Sequence, residues 1–172
     1  SNPKLVEKSF QKYCGRVFKN FVKSYEDFFE EDLFTELEEC ISAGDKLDCI
    51  LTYAQMNGLK IYVLIDEYDN FTNNIIANSN QRIYREFTQG HGFFKHFFAV
   101  LKGGTSGIGA SLARLFITGV SPVTLDDVTS GFNIGSNISL FSKFNDILGF
   151  TEKEVQEILL YSDLEMSKRQ FF

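Results

Sequence analysis

The stretch Ile61-Tyr62-Val63-Leu64-Ile65-Asp66-Glu67 decides the fold class of this 172-residue chain. Its first five residues are all apolar or aromatic, and three of them are β-branched. Strands that are buried on both faces of a parallel sheet have this composition, whereas half-buried strands alternate apolar and polar residues. The stretch therefore predicts a buried strand that ends in two adjacent acids.

Helical periodicity surrounds this strand on both sides. Apolar residues recur three or four positions apart over residues 5–29, and a helix pattern ends at Asn57-Gly58. Further helical patterns are centred on Leu33 and Leu37, Ile50 and Leu51, Ile83 to Phe87, Phe94 to Leu101, and Val155 to Leu159 after the capping box Thr151 to Glu154. A second apolar strand is predicted over 115–120. The order of these elements indicates an α/β fold, with a partial parallel sheet flanked by helices.

Composition excludes several classes of protein. The chain carries 19 Phe and 7 Tyr, which argues for a dense core and against disorder. A net charge of −6 gives no overall electrostatic reason to expect binding to nucleic acid or to an anionic membrane, and the longest apolar runs are too short to span a bilayer. Three cysteines without C-x-x-C spacing fit reduced thiols, so a cytoplasmic location is expected.

The candidate site lies where the two strands end. Ligands in parallel sheets bind outside the carboxyl ends of the strands, where Asp66 and Glu67 follow the first strand. An Asp in this position can hold Mg²⁺, and the next Glu can orient or deprotonate an attacking water. Thr118 follows Leu115-Phe116-Ile117, so it supplies a polar group at the end of the second strand. If the strands are parallel neighbours, Asp66 and Thr118 should meet at one edge. The alternative is two strands that simply end in solvated polar residues.

Several stretches together resemble the bacterial AAA-ATPase-like family, whose members are often fused to a C-terminal nuclease-like domain of the PD-(D/E)XK type. The stretches are Ile65 to Asp69, Phe116 to Asp127, Ser130 to Ile134, and Leu148 to Glu152. The resemblance implies a P-loop-NTPase-like sheet in which Asp66 is the Walker B magnesium residue and Glu67 the catalytic glutamate. It implies that Thr118 is a sensor-like residue facing the γ-phosphate of ATP, and that Mg²⁺ and ATP are the cofactors.

One part of the family pattern is absent from the sequence. No G-x-x-x-x-G-K-S/T loop, whose amides and lysine hold phosphates, precedes residue 61. We therefore expect one domain fragment, divided into 1–58, 59–113 and 114–172, that binds no nucleotide tightly alone. Its expected partners are a P-loop segment on the N-terminal side, a nuclease-like domain on the C-terminal side and a second copy of itself.

Two alternatives remain open at this point. The first is a non-catalytic interaction domain that retains the acids without using them. The second rests on the glycines of residues 103–109, whose spacing resembles the dinucleotide-binding turn of a nicotinamide oxidoreductase. That turn needs a strand before it, but Phe93 to Lys102 has helical periodicity. His91 and His96 lack a zinc-ligand spacing, and Arg82, Arg85 and Arg114 are candidates for an arginine that acts on a neighbouring nucleotide.

Overall fold

The computed structural model describes residues 3–68, 92–119, 135–144, 147 and 149–161. Seven helices and strands lie in these ranges: α1 Pro3–Ser24, α2 Glu31–Glu39, α3 Ala43–Met56, β1 Ile61–Ile65, α4 Phe93–Gly104, β2 Leu112–Ile117 and α5 Glu152–Tyr161. Short 3₁₀ turns occupy Glu26–Phe28 and Ser142–Phe144. The chain divides into two compact units, Ser1–Gly135 and Ser136–Phe172. The result is a helix-rich α/β chain; its division into three parts at 58 and 113 stays a prediction.

The described residues contain a two-stranded parallel sheet, as the sequence predicts. The prediction that the first strand is buried on both faces is wrong for the described residues, because Tyr62 and Leu64 are 66% and 76% exposed. β1 pairs with β2 in a register that places Ile61 beside Leu112 and Ile65 beside Ile117. An irregularity lies between Ile61 and Tyr62, where one extra residue of β2 is accommodated. β2 begins three residues earlier than residue 115, the start expected from sequence. Because the strands are parallel, their carboxyl ends lie at the same edge of the sheet.

The core of the first unit lies between the helices and one face of this sheet. Val22, Ala54 and Leu101 have no exposed surface, and α3 packs against α4. Phenylalanine rings fill the space between α1 and α4, where Phe10 contacts Phe93, Phe94 and Phe97 at centroid distances of 5.2 to 5.7 Å. The abundance of Phe in the sequence therefore does indicate a dense aromatic core.

The first helix differs from its prediction at its C-terminal end. It stops at Ser24 and not near residue 29, and a 3₁₀ turn follows. Two members of the predicted apolar stripe, Tyr25 and Phe28, are 51% and 61% exposed, while Val22 has no exposed surface. The chain turns after Ser24. A helical period that is extended beyond Ser24 therefore assigns Tyr25 and Phe28 to the buried face, although both are exposed.

Helix α3 has a defined start and a defined end. The Ser42 hydroxyl accepts a hydrogen bond from the Asp45 amide at 3.1 Å, and the Asp45 carboxylate accepts one from the Ser42 amide at 3.1 Å. These two bonds form a capping box. The hydroxyl of Ser42 is also the main reason why the pKa of Asp45 lies below its ordinary value. At the other end Gly58 has φ +67°, so Asn57-Gly58 stops the helix as predicted.

Two neighbouring glycines at the end of α4 allow a matched test of packing. A Cβ on Gly104 would lie 2.7 Å from Leu51 Cδ1 and 3.3 Å from Leu112 Cβ, and both leucines are buried. A Cβ on Gly103 would have no neighbour within 4 Å. We expect Gly104→Ala to lower the free energy of unfolding by about 1–3 kcal/mol through overpacking, and Gly103→Ala to raise it slightly through helix propensity. Urea denaturation of both variants checks this, and equal effects would contradict the packing of α4 against Leu51.

The second unit contains the last predicted helix. The Thr151 amide donates to Glu154 Oε2 at 2.8 Å, and the Glu154 amide donates to Thr151 Oγ1 at 3.3 Å. The predicted capping box is thereby confirmed: Thr151 directly precedes α5, which begins at Glu152, and Glu154 lies in its first turn. The helical pattern predicted from Ile83 to Phe87 lies outside the described residues, as do all residues from 120 to 134. Among the described helices, none combines the length and the apolar character that crossing a bilayer requires.

Candidate active site

The candidate site is built from the residues that follow β1 and β2. Thr118 follows β2 by one residue, and its hydroxyl donates a hydrogen bond to Asp66 Oδ1 in a close contact. The same hydroxyl oxygen accepts a hydrogen bond from the Glu67 amide at 3.1 Å. The predicted meeting of Asp66 and Thr118 at one sheet edge is thus confirmed. One hydroxyl group links both acidic residues.

Backbone hydrogen bonds continue past the strand ends and hold this cluster in place. The Thr118 amide donates to the Ile65 carbonyl at 2.9 Å, and the Tyr68 amide donates to the Thr118 carbonyl at 3.0 Å. Tyr68 itself is buried, whereas Asp66 and Glu67 are exposed. Backbone hydrogen bonds to Thr118 therefore continue after the strand ends at Ile65, and they hold the backbone that carries both acids.

Glu67 has an unusual backbone conformation. Its φ is +49°, and it is the one residue other than glycine with positive φ in the described part of the chain. Left-handed conformations are uncommon for residues with a Cβ and persist only where the surroundings impose them. The hydrogen bonds from the Glu67 and Tyr68 amides to Thr118 supply that constraint. Residues in such conformations cluster at functional sites, so the backbone marks the same position as the sequence motif.

A groove of about 550 Å³ runs from the site along β1. Every residue from Ile61 to Tyr68 lines it, and residues of α1 and α4 form the opposite wall, among them Phe10, Val17 and Phe97. Most of the lining is apolar, and the two carboxylates stand at one end of the groove. A cleft of this size with a few convergent polar groups has the character of a ligand site.

The oxygen atoms of the cluster suit a hard cation. Asp66 offers a carboxylate and Thr118 a hydroxyl, and Mg²⁺ prefers oxygen ligands. Within the described residues, no three His, Cys, Asp or Glu side chains come close enough to hold a metal ion between them. Mg²⁺ is commonly bound through one or two carboxylates together with substrate phosphates. Asp66 and Thr118 are therefore able to supply two oxygen ligands to such an ion.

Two further candidate residues, His96 and Arg114, lie in the described part of the chain and do not join this cluster. His96 Nε2 lies 3.1 Å from Asp45 Oδ1. Asp45 belongs to the capping box of α3, so this pair is at the start of a helix and not at the strand ends. Arg114 is exposed in β2, and its guanidinium donates to the Ala113 carbonyl at 2.8 Å. Asp69, Arg82, Arg85 and His91 lie outside the described residues. The described part of the chain thus brings together Asp66, Glu67 and Thr118, the three residues that the sequence predicts for the site.

Cys14 and Cys49 behave as structural residues. All three cysteines, Cys14, Cys40 and Cys49, are free thiols. Burial raises the pKa of Cys14 to about 12, and burial together with the neighbouring Glu36 carboxylate raises the pKa of Cys49 to about 12. Because the thiolate is the reactive form of cysteine, neither of these two thiols is prepared for nucleophilic chemistry.

The glycine-rich stretch does not form a dinucleotide-binding turn. Such a turn follows a strand and opens a helix, whereas here the stretch begins inside the last turn of α4 and leads into β2. Residues around the turn bind its carbonyls: Lys60 Nζ donates to the Ala110 carbonyl at 2.7 Å, and Gln55 Nε2 donates to the Ile108 carbonyl at 3.2 Å. The oxidoreductase alternative was therefore wrong about this turn. Gly103 and Gly104 form the end of α4, and residues 105–111 connect this helix to β2.

Sequence reasoning missed two parts of the site. It placed Thr118 at the strand end but did not foresee that one hydroxyl would bind both acidic residues. It also overlooked Tyr68, which is buried beside the acids and lines the groove. The sequence offered one signal for Tyr68: a large aromatic side chain directly after Asp66-Glu67 is expected to be buried beside the strand ends.

Comparison with known proteins adds one finding. A family model described as a predicted AAA-ATPase matches residues 1–129, which is three quarters of the chain. The matched range includes β1, β2 and all three residues of the cluster. Comparisons with curated proteins and with solved structures gave no match.

Proposed function

This chain belongs to the predicted AAA-ATPase family. On that premise we propose that it carries the residues of an ATPase site that bind magnesium and activate the attacking water. The observation that carries the proposal is the hydrogen-bonded cluster of Asp66, Glu67 and Thr118 at the carboxyl ends of two adjacent parallel strands. We further propose that the sheet is part of a P-loop-NTPase-like sheet. The parallel pairing of a strand ending in Asp-Glu with a strand ending in a polar residue supports this.

Each residue has a role that its position supports. Asp66 would hold Mg²⁺ through its carboxylate, and a bound Mg²⁺ would neutralise charge on the phosphates of ATP. Glu67 is exposed next to Asp66, so its carboxylate can accept a proton from a water molecule or orient it. Thr118 positions both residues through its hydroxyl. For a sensor-like contact with the γ-phosphate, the Thr118 hydroxyl would have to donate its hydrogen bond to the phosphate instead of to Asp66.

The phosphate-binding groups are the part of such a site that this sequence does not contain. Its residues include no G-x-x-x-x-G-K-S/T loop, so we propose that another polypeptide segment supplies that loop. We also propose that the ATPase acts with a partner domain, for which the nuclease-like domain suggested by the sequence resemblance is the candidate. The free thiols support a cytoplasmic location.

A nucleotide titration tests this proposal. This chain alone should bind Mg·ATP weakly or not at all, because the amides and lysine that hold phosphate are elsewhere. A polypeptide that joins it to a G-x-x-x-x-G-K-S/T loop should bind ATP more tightly with Mg²⁺ than without it. Asp66→Ala should abolish that magnesium-dependent gain, since it removes the carboxylate. Isothermal titration calorimetry with and without Mg²⁺ measures the difference.

The matched control is Asp48→Ala, which removes an exposed carboxylate from α3, outside the cluster. The control should leave the magnesium-dependent gain intact. A loop-containing polypeptide that binds no nucleotide under any condition would contradict the ATPase proposal. That outcome would favour the non-catalytic interaction domain.

A further inference from the structure

Charged residues are segregated along the first part of the chain. Helix α1 carries six basic residues and a single acid, Glu7. The stretch that follows, residues 26–39, carries eight acids and no basic residue. The net charge of −6 therefore combines a strongly basic helix with a strongly acidic neighbouring segment.

The basic residues of α1 lie on one face of the helix. They follow one another at intervals of three or four positions, which is close to one residue per turn. This spacing places all six within an arc of about 120° and along about 28 Å of the helix, and it leaves Glu7 outside the arc. All six side chains are exposed. This row, which we call the basic stripe, consists of Lys4, Lys8, Lys12, Arg16, Lys19 and Lys23.

The opposite face of α1 belongs to the protein core. Cys14 and Val22 are buried there, and Phe10 contacts three phenylalanine rings of α4. A helix that lies in a membrane surface buries its apolar face among the lipids. Because the apolar face of α1 is already packed against α4, the helix does not fit that role, and its basic face is the part that a partner can reach.

The basic stripe works against the stability of the helix that carries it. The first turn of α1 contains no acid, although the helix dipole favours one there, and like charges four positions apart repel each other. Lys19 Nζ lies 3.5 Å from Glu38 Oε1, but both side chains are exposed and such pairs contribute little. The Arg16 guanidinium lies 5.6 Å from the centre of the Tyr13 ring. A ligand with many negative charges would relieve the repulsion along the stripe.

The length and spacing of the stripe identify the kind of anion. Its cations are about 6 Å apart along the helix, so a small phosphate ester would meet only one or two of them. Duplex DNA carries one negative charge per about 1.7 Å of its axis, and Lys and Arg side chains bind its phosphates. A long, regularly charged backbone therefore matches the stripe over its whole length.

The composition of the stripe favours a duplex over a single strand. Proteins that bind single strands combine basic residues with aromatic side chains on which the bases stack, and the arc of the stripe contains no aromatic residue. Duplex RNA is recognised through its 2′-hydroxyl groups as well as its phosphates. The stripe consists of cations alone, which is what contact with the phosphates of duplex DNA requires.

We propose that the basic stripe of α1 binds the sugar–phosphate backbone of duplex DNA, independently of base sequence. The acids elsewhere in the chain repel the same backbone, so the affinity is that of a non-specific contact, with a Kd of about 10⁻⁴–10⁻⁶ M at physiological salt. The surface uses none of Asp66, Glu67 and Thr118 and needs no nucleotide. It therefore stands or falls separately from the ATPase proposal.

Salt dependence tests the proposal. The full chain is titrated into fluorescein-labelled DNA duplexes of two unrelated sequences, and the fluorescence anisotropy is measured between about 50 and 200 mM salt. About three to four phosphate contacts give a slope of log affinity against log salt of roughly −3, so the affinity should fall about 40- to 150-fold over this range. Both duplexes should bind equally, because phosphate contacts carry no sequence information.

Removal of two cations from the stripe is the mutational test. Lys8→Gln/Lys12→Gln should weaken binding about tenfold or more at low salt and make the slope less steep by about two. Glutamine forms helices as well as lysine does and removes a like-charge repulsion, so the variant should unfold at the same or a higher urea concentration. The matched control, Lys143→Gln/Lys153→Gln, changes the net charge equally at exposed positions of the second unit and should keep the slope.

Each result decides for or against the proposal. Salt-dependent binding that the stripe variant loses and the control keeps supports it. A chain that binds no duplex at the lowest salt overturns it, as does an equal loss of affinity in the stripe variant and the control. Tighter binding to single-stranded DNA, to duplex RNA or to vesicles of phosphatidylcholine and phosphatidylserine also overturns it, and assigns the stripe to that ligand.

Discussion

Glu67→Gln is expected to lower ATP turnover by about 10²-fold or more in a polypeptide that contains this chain and a phosphate-binding loop. Glutamine keeps the size of the side chain but cannot accept a proton from water. Nucleotide binding should persist, because Asp66 and the loop remain. Steady-state turnover and a separate nucleotide titration distinguish the two effects.

The control for this variant is Glu39→Gln, at an exposed position at the end of α2. It removes one carboxylate without touching the strand ends and should leave turnover unchanged. Unchanged turnover in Glu67→Gln would remove Glu67 from the proposed chemistry. A loss of folding in Glu67→Gln would be seen in its circular dichroism spectrum and would separate instability from a catalytic defect.

Leu101→Ala is expected to destabilise the first unit more than a change at any exposed position of the same unit. Leu101 lies in α4 with no exposed surface and belongs to the core that α4 forms with α3. Truncation of a fully buried leucine removes its transfer free energy and leaves a cavity, which together cost about 2–5 kcal/mol. Urea denaturation of the variant measures this cost.

Leu5→Ala provides the comparison, because Leu5 is 63% exposed on α1. Leu5→Ala should lower the free energy of unfolding by no more than about 0.5 kcal/mol, as is usual for surface positions. A cost below about 1 kcal/mol for Leu101→Ala, against the 2–5 kcal/mol usual for a buried leucine, would mean that the contact between α3 and α4 contributes little to the fold. The difference between the two losses in free energy of unfolding therefore measures how far the contact between α3 and α4 stabilises the first unit.

The sequence predicted the strands and the edge where they meet for clear physical reasons. An apolar, β-branched stretch such as Ile61 to Ile65 is recognisable by composition alone. Parallel strands bring their carboxyl ends together, so Asp66 and Thr118 could be placed at one edge from the sequence. The stop of α3 at Asn57-Gly58 was predictable because a residue with positive φ ends a helix at little cost when it is glycine.

Other features depended on tertiary contacts that local patterns do not contain. The start of β2 at Leu112 was missed because the charged Arg114 interrupts the apolar run, and only its pairing with Tyr62 of β1 places it in the strand. Tyr25 and Phe28 looked like core residues because the helical period could be extended beyond Ser24. The left-handed backbone of Glu67 has no local signal, since glutamate rarely adopts it.

That backbone also bears on how the site would respond to protein engineering. A sequence optimised for stability alone would place glycine or asparagine at position 67, because these residues adopt positive φ more readily than glutamate. Stability-guided redesign of this chain would therefore tend to erase the carboxylate that the proposed chemistry needs. The residue stands where stability and activity make opposite demands, which is the trade-off that limits how far natural proteins can be stabilised without loss of function.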